Sequence, residues 1–315
     1  MEPELSVVIA IIAGGRDTMS SCLETLAGGR SGRNIEFIVP YDARLDGVTE
    51  LSQQYPWVDF VDARSEVNVD AFGSSSREHH DILRAIGLRR ARGRIIALLE
   101  DHGTPSPQWL ASVLAAHEEP FEAIGGAVEN GVDKLLNWAV YFCDFSRYQN
   151  PVGDGQSEFL SDSNVSYKRE ALQGVKNLWF QAFHETSVNW ELRRKGMQLK
   201  LNPEMIVYQT RRGLRLLPAL YERYVWGRSF AGTRASEITL MRRALYAVLS
   251  LVLPLILSFR VVARTIPKRR HIDRLLLALP LVFLLECVWS VGELIGYVTG
   301  HNGDPRRAAL AEQAT

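Results

Sequence analysis

The chain has 315 residues, 46% of them hydrophobic and 23% charged: enough apolar matter for a sizeable core, and too much charge for a highly polytopic membrane protein. Lys and Arg together number 36, as do Asp and Glu, so the overall balance offers no basic field for nucleic acid. Cys22, Cys143 and Cys287 lie too far apart for a zinc pattern or a CxxC redox pair, and no disulfide scaffold is expected.

The acidic start and the short apolar run Leu5–Ala13 do not have the form of a secretory signal; they predict a buried strand that ends in a turn at Gly14-Gly15. A helix is expected over Thr18–Leu26. Two more short strands follow, Ile35–Val39 ending at Pro40-Tyr41-Asp42, and Val58–Val61 ending at Asp62. A helix over Glu78–Arg90 then leads into Arg94–Leu99, the most continuous buried strand of the sequence. Short β-rich runs alternating with amphipathic helices predict an α/β domain with a mostly parallel sheet flanked by helices. In such sheets ligand residues gather just past the carboxyl ends of strands, which singles out Asp42, Asp62 and the run Glu100-Asp101-His102.

Ser106 as N-cap and Pro107 at the first helical position predict another helix, which ends before Pro120. Residues 144–163 are rich in Gly, Pro, Ser and Asp and read as a mobile loop. A later helix starts near His184-Glu185 and stops at Gly196, with Arg193, Arg194 and Lys195 in its last turn.

From residue 213 the character changes. Leu217, Leu220, Tyr221, Tyr224 and Val225 make a stripe at helical spacing, with Arg215, Arg223 and Arg228 beside it. Such a helix can lie on a membrane surface, or dock on a soluble core. Ala244–Phe259 is uncharged, and Leu275–Gly300 is apolar except for Glu286 and Glu293. The second stretch is long enough for the roughly 30 Å hydrocarbon core; the first is shorter, contains Pro254, and reads better as re-entrant, tilted or interfacial. The expected division is therefore 1–212 as an α/β domain, 213–241 as amphipathic interface helices, and 242–315 as membrane segments (about 244–262 and 275–299) with a short tail. Arg242 and Arg243 precede the first segment, and Arg260, Arg264, Lys268, Arg269, Arg270 and Arg274 follow it, whereas the tail has only Arg306 and Arg307. The positive-inside tendency then places the α/β domain on the cytoplasmic side. Glu286 and Glu293 share one helix face and should meet protein, a lipid head-group cavity, or a second protomer of a homo-oligomer.

Acids and an imidazole at a strand end suit an oxygen-rich divalent cation site, Mg²⁺ or Mn²⁺, although an EDH run alone also suits a helix cap or a solvated turn. Four segments in order give it more meaning. EFIVPYDARLDG resembles the second strand of family 2 glycosyltransferases, EIIVVDDGSTDG, with Asp42 on the second acid of the pair and Tyr41 in place of the first. LRAIGLRRARGRIIALLEDH resembles ARNxGxxxAxGexixFLDDD, which sets Arg84 on its Arg, Ala85 in place of its Asn, and Glu100-Asp101-His102 on the DxD motif. FLSDSNVSYKREAL resembles the acceptor-side GxNxAxRR segment, with Asn164 on the Asn. HETSVNWELRRKGMQLKLNPEMIVYQ resembles EDxxLxxRLxxxGxxxxxxPxxxVxH, with His184 on the Glu and Glu185 on the catalytic Asp.

The resemblance covers about residues 4–212 and implies a GT-A fold and an inverting glycosyltransferase. It implies a UDP- or GDP-linked sugar held by Asp42, Arg84, Glu100 and Asp101, a metal on His102 and Asp101, acceptor contacts from Asn164 and His184, and Glu185 as base. RYVWGRSFAGTR loosely resembles the QxxRW element of membrane-bound members, which makes Arg223, Trp226 and Arg228 candidates for the donor diphosphate or a lipid phosphate, or for an interfacial anchor. The implied acceptor is a lipid or lipid-linked molecule of the cell envelope. Two other readings stand beside it: a catalytically silent sugar-nucleotide-binding membrane protein, and a sugar nucleotidyltransferase suggested by IIAGGR but lacking the GxGTR continuation.

Overall fold

The computed structural model describes residues 2–11, 16–42, 47–66, 77–235 and 238–300, without the side chains of residues 77 and 78. The turn expected at Gly14-Gly15 and the tail residues Arg306 and Arg307 lie outside the described residues. The chain divides into two compact units, Met1–Gly131 with Tyr148–Arg211, and Val132–Arg147 with Arg212–Thr315.

The first unit opens with β1 (Leu5–Ala10), α1 (Arg16–Gly29), β2 (Ile35–Tyr41), α2 (Val48–Gln54) and β3 (Val58–Asp62). Then come α3 (Arg77–Arg90), β4 (Ile95–Glu100), β5 (Gly103–Pro105), α4 (Trp109–Ala116) and β6 (Ala123–Asn130). After α5 (Leu135–Phe145), which belongs to the second unit, the first resumes with β7 (Gly155–Gln156), β8 (Asn164–Lys168), α6 (Arg169–Gln173), α7 (Lys176–Trp179), α8 (Glu185–Arg194) and β9 (Leu199–Gln209).

The strands form one sheet in the order β3-β2-β1-β4-β8-β6-β9-β5, with β7 on β9. The N-terminal four are all parallel, as the alternating pattern required; β8 then runs against both β4 and β6, and β6 and β9 are again parallel. Two consequences set up the site. Ala10 pairs with Glu100 and Tyr41 with Asp62, so β1 to β4 end along one edge of the sheet. Asn164 pairs with Leu99 across the antiparallel step, so the residues entering β8 arrive beside the end of β4.

β1 is buried along its whole length because helices cover both faces, the usual reason for a strand that is apolar without alternation. Met19, Cys22, Leu23 and Leu26 of α1 and Trp109, Leu110 and Val113 of α4 share a core with Val7 and Ile9. Gly87 of α3 explains itself: a Cβ there would stand 2.3 Å from Val8 Cγ1 and 2.9 Å from Pro40 Cγ, so only glycine lets the helix lie this close to β1 and β2.

Two expectations shift. Ser106 does not cap α4, which starts at Trp109 after a turn in which the Trp109 amide donates to the Ser106 carbonyl at 3.0 Å. The stretch read as a mobile loop is irregular but seated, with Tyr148, Val152 and Leu160 buried.

The second unit comprises α5, α9 (Leu216–Ala235), α10 (Leu240–Leu249), α11 (Leu253–Thr265) and α12 (Ile272–Thr299). The sequence reading of 1–212 as one continuous domain did not include this use of α5. Its Trp138, Ala139 and Phe142 pack with Ala219, Val261, Leu275, Ala278, Val282 and Leu285. Against α12, α9 buries not the aliphatic-aromatic stripe but its small residues Ala219, Gly227, Ala231, Gly232 and Ala235, leaving Leu217 and Tyr221 exposed. A Cβ on Gly292 would lie 2.3 Å from the Tyr224 carbonyl, and one on Gly227 2.3 Å from that of Trp289. Backbone-to-backbone packing of this kind selects glycine on both helices.

α12 has 28 residues, and its most apolar 18-residue stretch has a mean hydropathy of 2.2, long and apolar enough to cross a membrane. α10 and α11 meet at a 71° bend. Leu240, Met241, Leu245, Val248, Leu255 and Phe259 are exposed along that bent pair. Glu286 and Glu293 are both buried in the unit's own interior, Glu293 accepting from Trp289 Nε1 at 2.6 Å, so neither needs a second protomer.

Candidate active site

β4 delivers Glu100 to the sheet edge, and the chain turns through Asp101 and His102 into β5. The His102 carbonyl accepts from the Thr210 amide at 2.7 Å and from Thr210 Oγ1 at 2.8 Å, which fixes the turn to the end of β9. All three side chains are buried. His102 Nε2 lies 3.1 Å from Glu100 Oε2 and its Nδ1 lies 3.2 Å from Asp101 Oδ1. Burial alone would lower the imidazole pKa, but the Glu100 and Asp101 carboxylates outweigh it and push it up to about 9. Burial likewise opposes the Glu100 charge, yet His102 and Arg84 hold this carboxyl below the usual carboxylate range.

Arg84, on α3, organises the next layer. Its Nη2 lies 2.7 Å from Glu100 Oε1 and 3.1 Å from Asp162 Oδ2, and its Nη1 lies 3.4 Å from Asp81 Oδ1. Burial disfavours a lone guanidinium here, but these carboxylates, with Glu185 further off, raise its pKa. Asp81 also faces His184, with Oδ2 2.9 Å from Nδ1. His184 is the residue before α8 and Glu185 is the first of its helix. Glu185 lies within the electrostatic reach of Arg84 and of Tyr167, whose phenol is pushed up by burial and then by Glu185 and Asp162. α8 is tied to β8 where Tyr167 donates to Asn189 Oδ1 at 2.9 Å.

Arg84, Glu100, Asp101, His102, His184 and Glu185 thus belong to one connected neighbourhood of the first unit. Asp42 is fully buried just past β2, with Oδ2 3.2 Å from His79 Nε2. Asp62 is spent locally: it accepts from the Arg64 amide at 3.0 Å and pairs with the Arg64 guanidinium at 2.9 Å. Asn164 is committed to the fold. It accepts from Trp109 Nε1 at 2.9 Å and donates to the carbonyls of Ala127 and Met205 at 2.9 and 2.7 Å, so its influence on an acceptor would pass through the strand that it locks. Arg223, Trp226 and Arg228 lie on α9 in the second unit. There Arg223 is buried against Asp144 at 2.7 Å, with its guanidinium 5.6 Å from the Trp289 ring; Trp226 and Arg228 are half-buried, and Arg228 Nε has no hydrogen-bond partner among the described residues.

Sequence reasoning missed His79, Asp81 and Asp162. The spacing of Asp81 and Arg84 on one helix was a local signal for a pair, but nothing in the sequence says that His184 and Asp162 would meet the same two residues across the fold.

The profile of glycosyl transferase family 2 matches residues 6–175, and the chain belongs to that family. No curated protein matches the chain. Among solved structures, it is similar to the mannosyltransferase PcManGT from Pyrobaculum calidifontis, in complex with GDP-Man and Mn²⁺: 14% identity, TM-score 0.48, over 100% of this chain and 80% of that one. It is also similar to residues 1–349 of S. aureus TarS: 13% identity, TM-score 0.48, over 72% of this chain and 64% of that one.

Proposed function

We propose that this protein is a membrane-associated inverting glycosyltransferase that moves a sugar from a UDP- or GDP-linked donor to a hydroxyl of a lipid or lipid-linked acceptor, with its catalytic domain on the cytoplasmic side. The observation that carries the reading is the placement of Glu185: a carboxylate at the start of α8, in the field of the same Arg84 that holds the strand-end acid Glu100. The helix dipole and Arg84 both favour its ionised form. In the proposed step the acceptor oxygen attacks the anomeric carbon, its proton passes to Glu185, and the bond to the nucleoside diphosphate breaks with the electron pair leaving on the diphosphate. A single displacement inverts the anomeric centre. Asp42 would face the base, and Arg84, Glu100 and Asp101 the ribose and diphosphate side of the donor. Arg223, Trp226 and Arg228 belong to the reading as contacts for the donor diphosphate or a lipid phosphate.

The donor types fit a divalent cation: carboxylate oxygens and an imidazole nitrogen within about 3 Å of each other suit Mg²⁺ or Mn²⁺. Asp101 and His102 would hold it, in place of a proton now shared between His102 and its carboxylates, and it would supply positive charge to the departing diphosphate. A second reading, a catalytically silent sugar-nucleotide-binding membrane protein, rests on the altered motif, in which Glu100 and His102 stand where the family pattern has Asp. A panel of UDP- and GDP-sugars in thermal-shift assays, with and without Mn²⁺, followed by transfer of radiolabelled sugar to extractable lipid, decides. A donor that raises the melting temperature and is turned over supports the enzyme; binding without turnover supports the silent reading; no binding by any member removes both.

A further inference from the structure

Length and composition allow α12 to cross a bilayer, but its neighbours do not. Both ends of α5 continue into the first unit, at Gly131 and at Tyr148. The strands of that unit form one sheet, so it lies on one side of any membrane and α5 cannot cross one. Yet α5 is the helix that covers the first half of α12. Asp133, just before α5, pairs with Arg274 at 2.7 Å, and the Trp138 ring stands 4.6 Å from that of His271. Further along, Trp138 and Phe142 share a cluster with Leu275, Ala278, Val282 and Leu285, and Cys143 stands beside Glu286. From its start to Glu286, α12 is therefore held by a helix that stays on the side of the first unit. What remains, Cys287–Thr299, reaches only about 20 Å at 1.5 Å per residue, short of the roughly 30 Å hydrocarbon core.

The charges agree. Arg260 of α11 is exposed and close enough to Glu286 for the two charges to interact, so it stands level with the middle of α12. Were α12 to cross, this guanidinium would sit at the depth where a charge is costliest. At the far end α10 caps α12: Arg243 Nε donates to the Tyr297 carbonyl and Nη2 to that of Val298 at 2.6 Å, next to the exposed Arg242. Lys268, Arg269, Arg270 and Arg274 gather at its start. Cations thus stand at both ends of the helix and beside its middle, which suits head groups that run along it. One face of α12 is nonetheless apolar and uncovered throughout. Leu277, Leu284, Val291 and Val298 follow one another at two-turn intervals and are all exposed, with Leu276 and Phe283 beside them, while Glu286 and Glu293 are buried.

We propose that α12 does not span the bilayer but lies along one leaflet, with this stripe among the acyl chains and the flanking arginines and lysines on anionic head groups, so that the tail after Gly300 stays on the side of the first unit. The proposal rests on the membrane association proposed above and gives it a form: attachment to one face, with no segment passed through. An anionic leaflet supplies counter-charges to the row of cations; a second copy of the chain laid on the stripe would supply none.

The test places single nitroxides at Leu277→Cys, Leu284→Cys, Val291→Cys and Val298→Cys, each in the full chain with Cys143→Ser and Cys287→Ser. The protein is reconstituted into vesicles of phosphatidylcholine and phosphatidylglycerol, and depth is read from collisions with oxygen against those with a water-soluble nickel chelate. All four labels should lie level with one another, about 5–10 Å into the boundary between head groups and acyl chains. A crossing helix would instead change depth by about 10 Å from each position to the next, shallow at the two ends and deepest between them, and that profile overturns the proposal. Labels that neither reagent reaches and that broaden one another's spectra mark a second copy on the stripe and overturn it as well. The unaltered chain gives an independent measurement. Fused after Thr315 in a bacterial host, green fluorescent protein should fluoresce and alkaline phosphatase should stay inactive, whereas active phosphatase shows a tail that has crossed and refutes the placement. If the wild type does not float with the vesicles, the membrane association itself fails, and the leaflet placement fails with it.

Discussion

Replacing Arg84 with methionine keeps most of the apolar stem and removes the guanidinium that three carboxylates share. Glu100 Oε1, Asp162 Oδ2 and Asp81 Oδ1 lie 2.7, 3.1 and 3.4 Å from it. Breaking a buried ion pair by removing one partner typically costs about 3–5 kcal/mol, because the remaining charge is left in a poor solvent. Two details argue for the lower end. Asp162 keeps 22% of its side chain in contact with water and can rehydrate, and Glu100 retains His102 at 3.1 Å. We expect a loss of about 3 kcal/mol at pH 7. The sign of the pH dependence follows from Glu100, whose pKa is depressed in the fold: its contribution is present above the ordinary carboxylate value of about 4.3 and is lost as pH falls below it. Without Arg84 the carboxyl protonates at higher pH, so the deficit should be full at pH 7 and shrink as pH falls below about 4.3. Urea unfolding in a fixed detergent, followed by tryptophan fluorescence at several pH values, measures it, with Arg84→Lys as an intermediate case. A deficit under about 1 kcal/mol, or one that does not change with pH, would refute the view of Arg84 as the charge that makes this cluster tolerable.

Three further outcomes are expected. Glu185→Gln should leave nucleotide-sugar binding unchanged while transfer falls roughly 10²–10⁴-fold, the contribution of a positioned base, whereas a plain helix-start role would change only the melting temperature. His117 should make stability fall in acid. Its Nε2 donates to Ser166 Oγ at 2.8 Å, the Ser166 hydroxyl is spent on the Ile124 carbonyl at 3.1 Å, and Nδ1 has no partner among the described residues. Burial, aided by the Lys168 charge, pushes the imidazole down to about 4, so the contribution is complete above pH 6.5 and lost towards pH 4; it is worth up to about 3 kcal/mol, and His117→Gln should flatten the urea midpoint over that window. Gly292→Leu should separate α9 from α12 and cost about 3 kcal/mol or more in thermal unfolding followed by circular dichroism, since its Cβ would meet the Tyr224 carbonyl at 2.3 Å; Gly28→Ala, which meets nothing within 4 Å, serves as the neutral control.

The parts of the fold that were legible in the sequence are those in which each element carries its own period. β1 to β4, α1 and α3 fall within a few residues of their expected bounds, because each is a short buried run or a regular apolar repeat, whereas the two-turn α2 (Val48–Gln54) had no expected counterpart. The second unit shows where periodicity misleads. The large residues of α9 form the evident stripe, but a helix that packs backbone to backbone buries its smallest side chains, so Leu217 and Tyr221 ended outside and Gly227 and Ala231 inside. α5 was not recognised because its partners lie in the last third of the chain. Within the site, strand-end acids were visible because strand ends are where α/β sheets place ligands. Asp81 and His79 were not, because α3 is buried almost throughout and its polar residues look like ordinary helix charges until the opposite wall of the site is folded against them.

The route of the chain through α5 also governs when the protein can finish folding. α5 ends at Phe145 and α12, its main apolar partner, begins at Ile272, so a ribosome must add well over a hundred residues after the first helix has emerged. At about 5–20 residues per second this is a wait on the order of ten seconds. During that time Trp138, Tyr141 and Phe142 have no folded partner of their own chain. If the protein is membrane-associated as proposed above, a nascent helix in that condition has a bilayer open to it, and a ribosome-bound fragment that ends near residue 211 should already sediment with membranes through α5. On that proposal, membrane attachment would begin in the middle of the glycosyltransferase sequence, before any of the C-terminal helices exist.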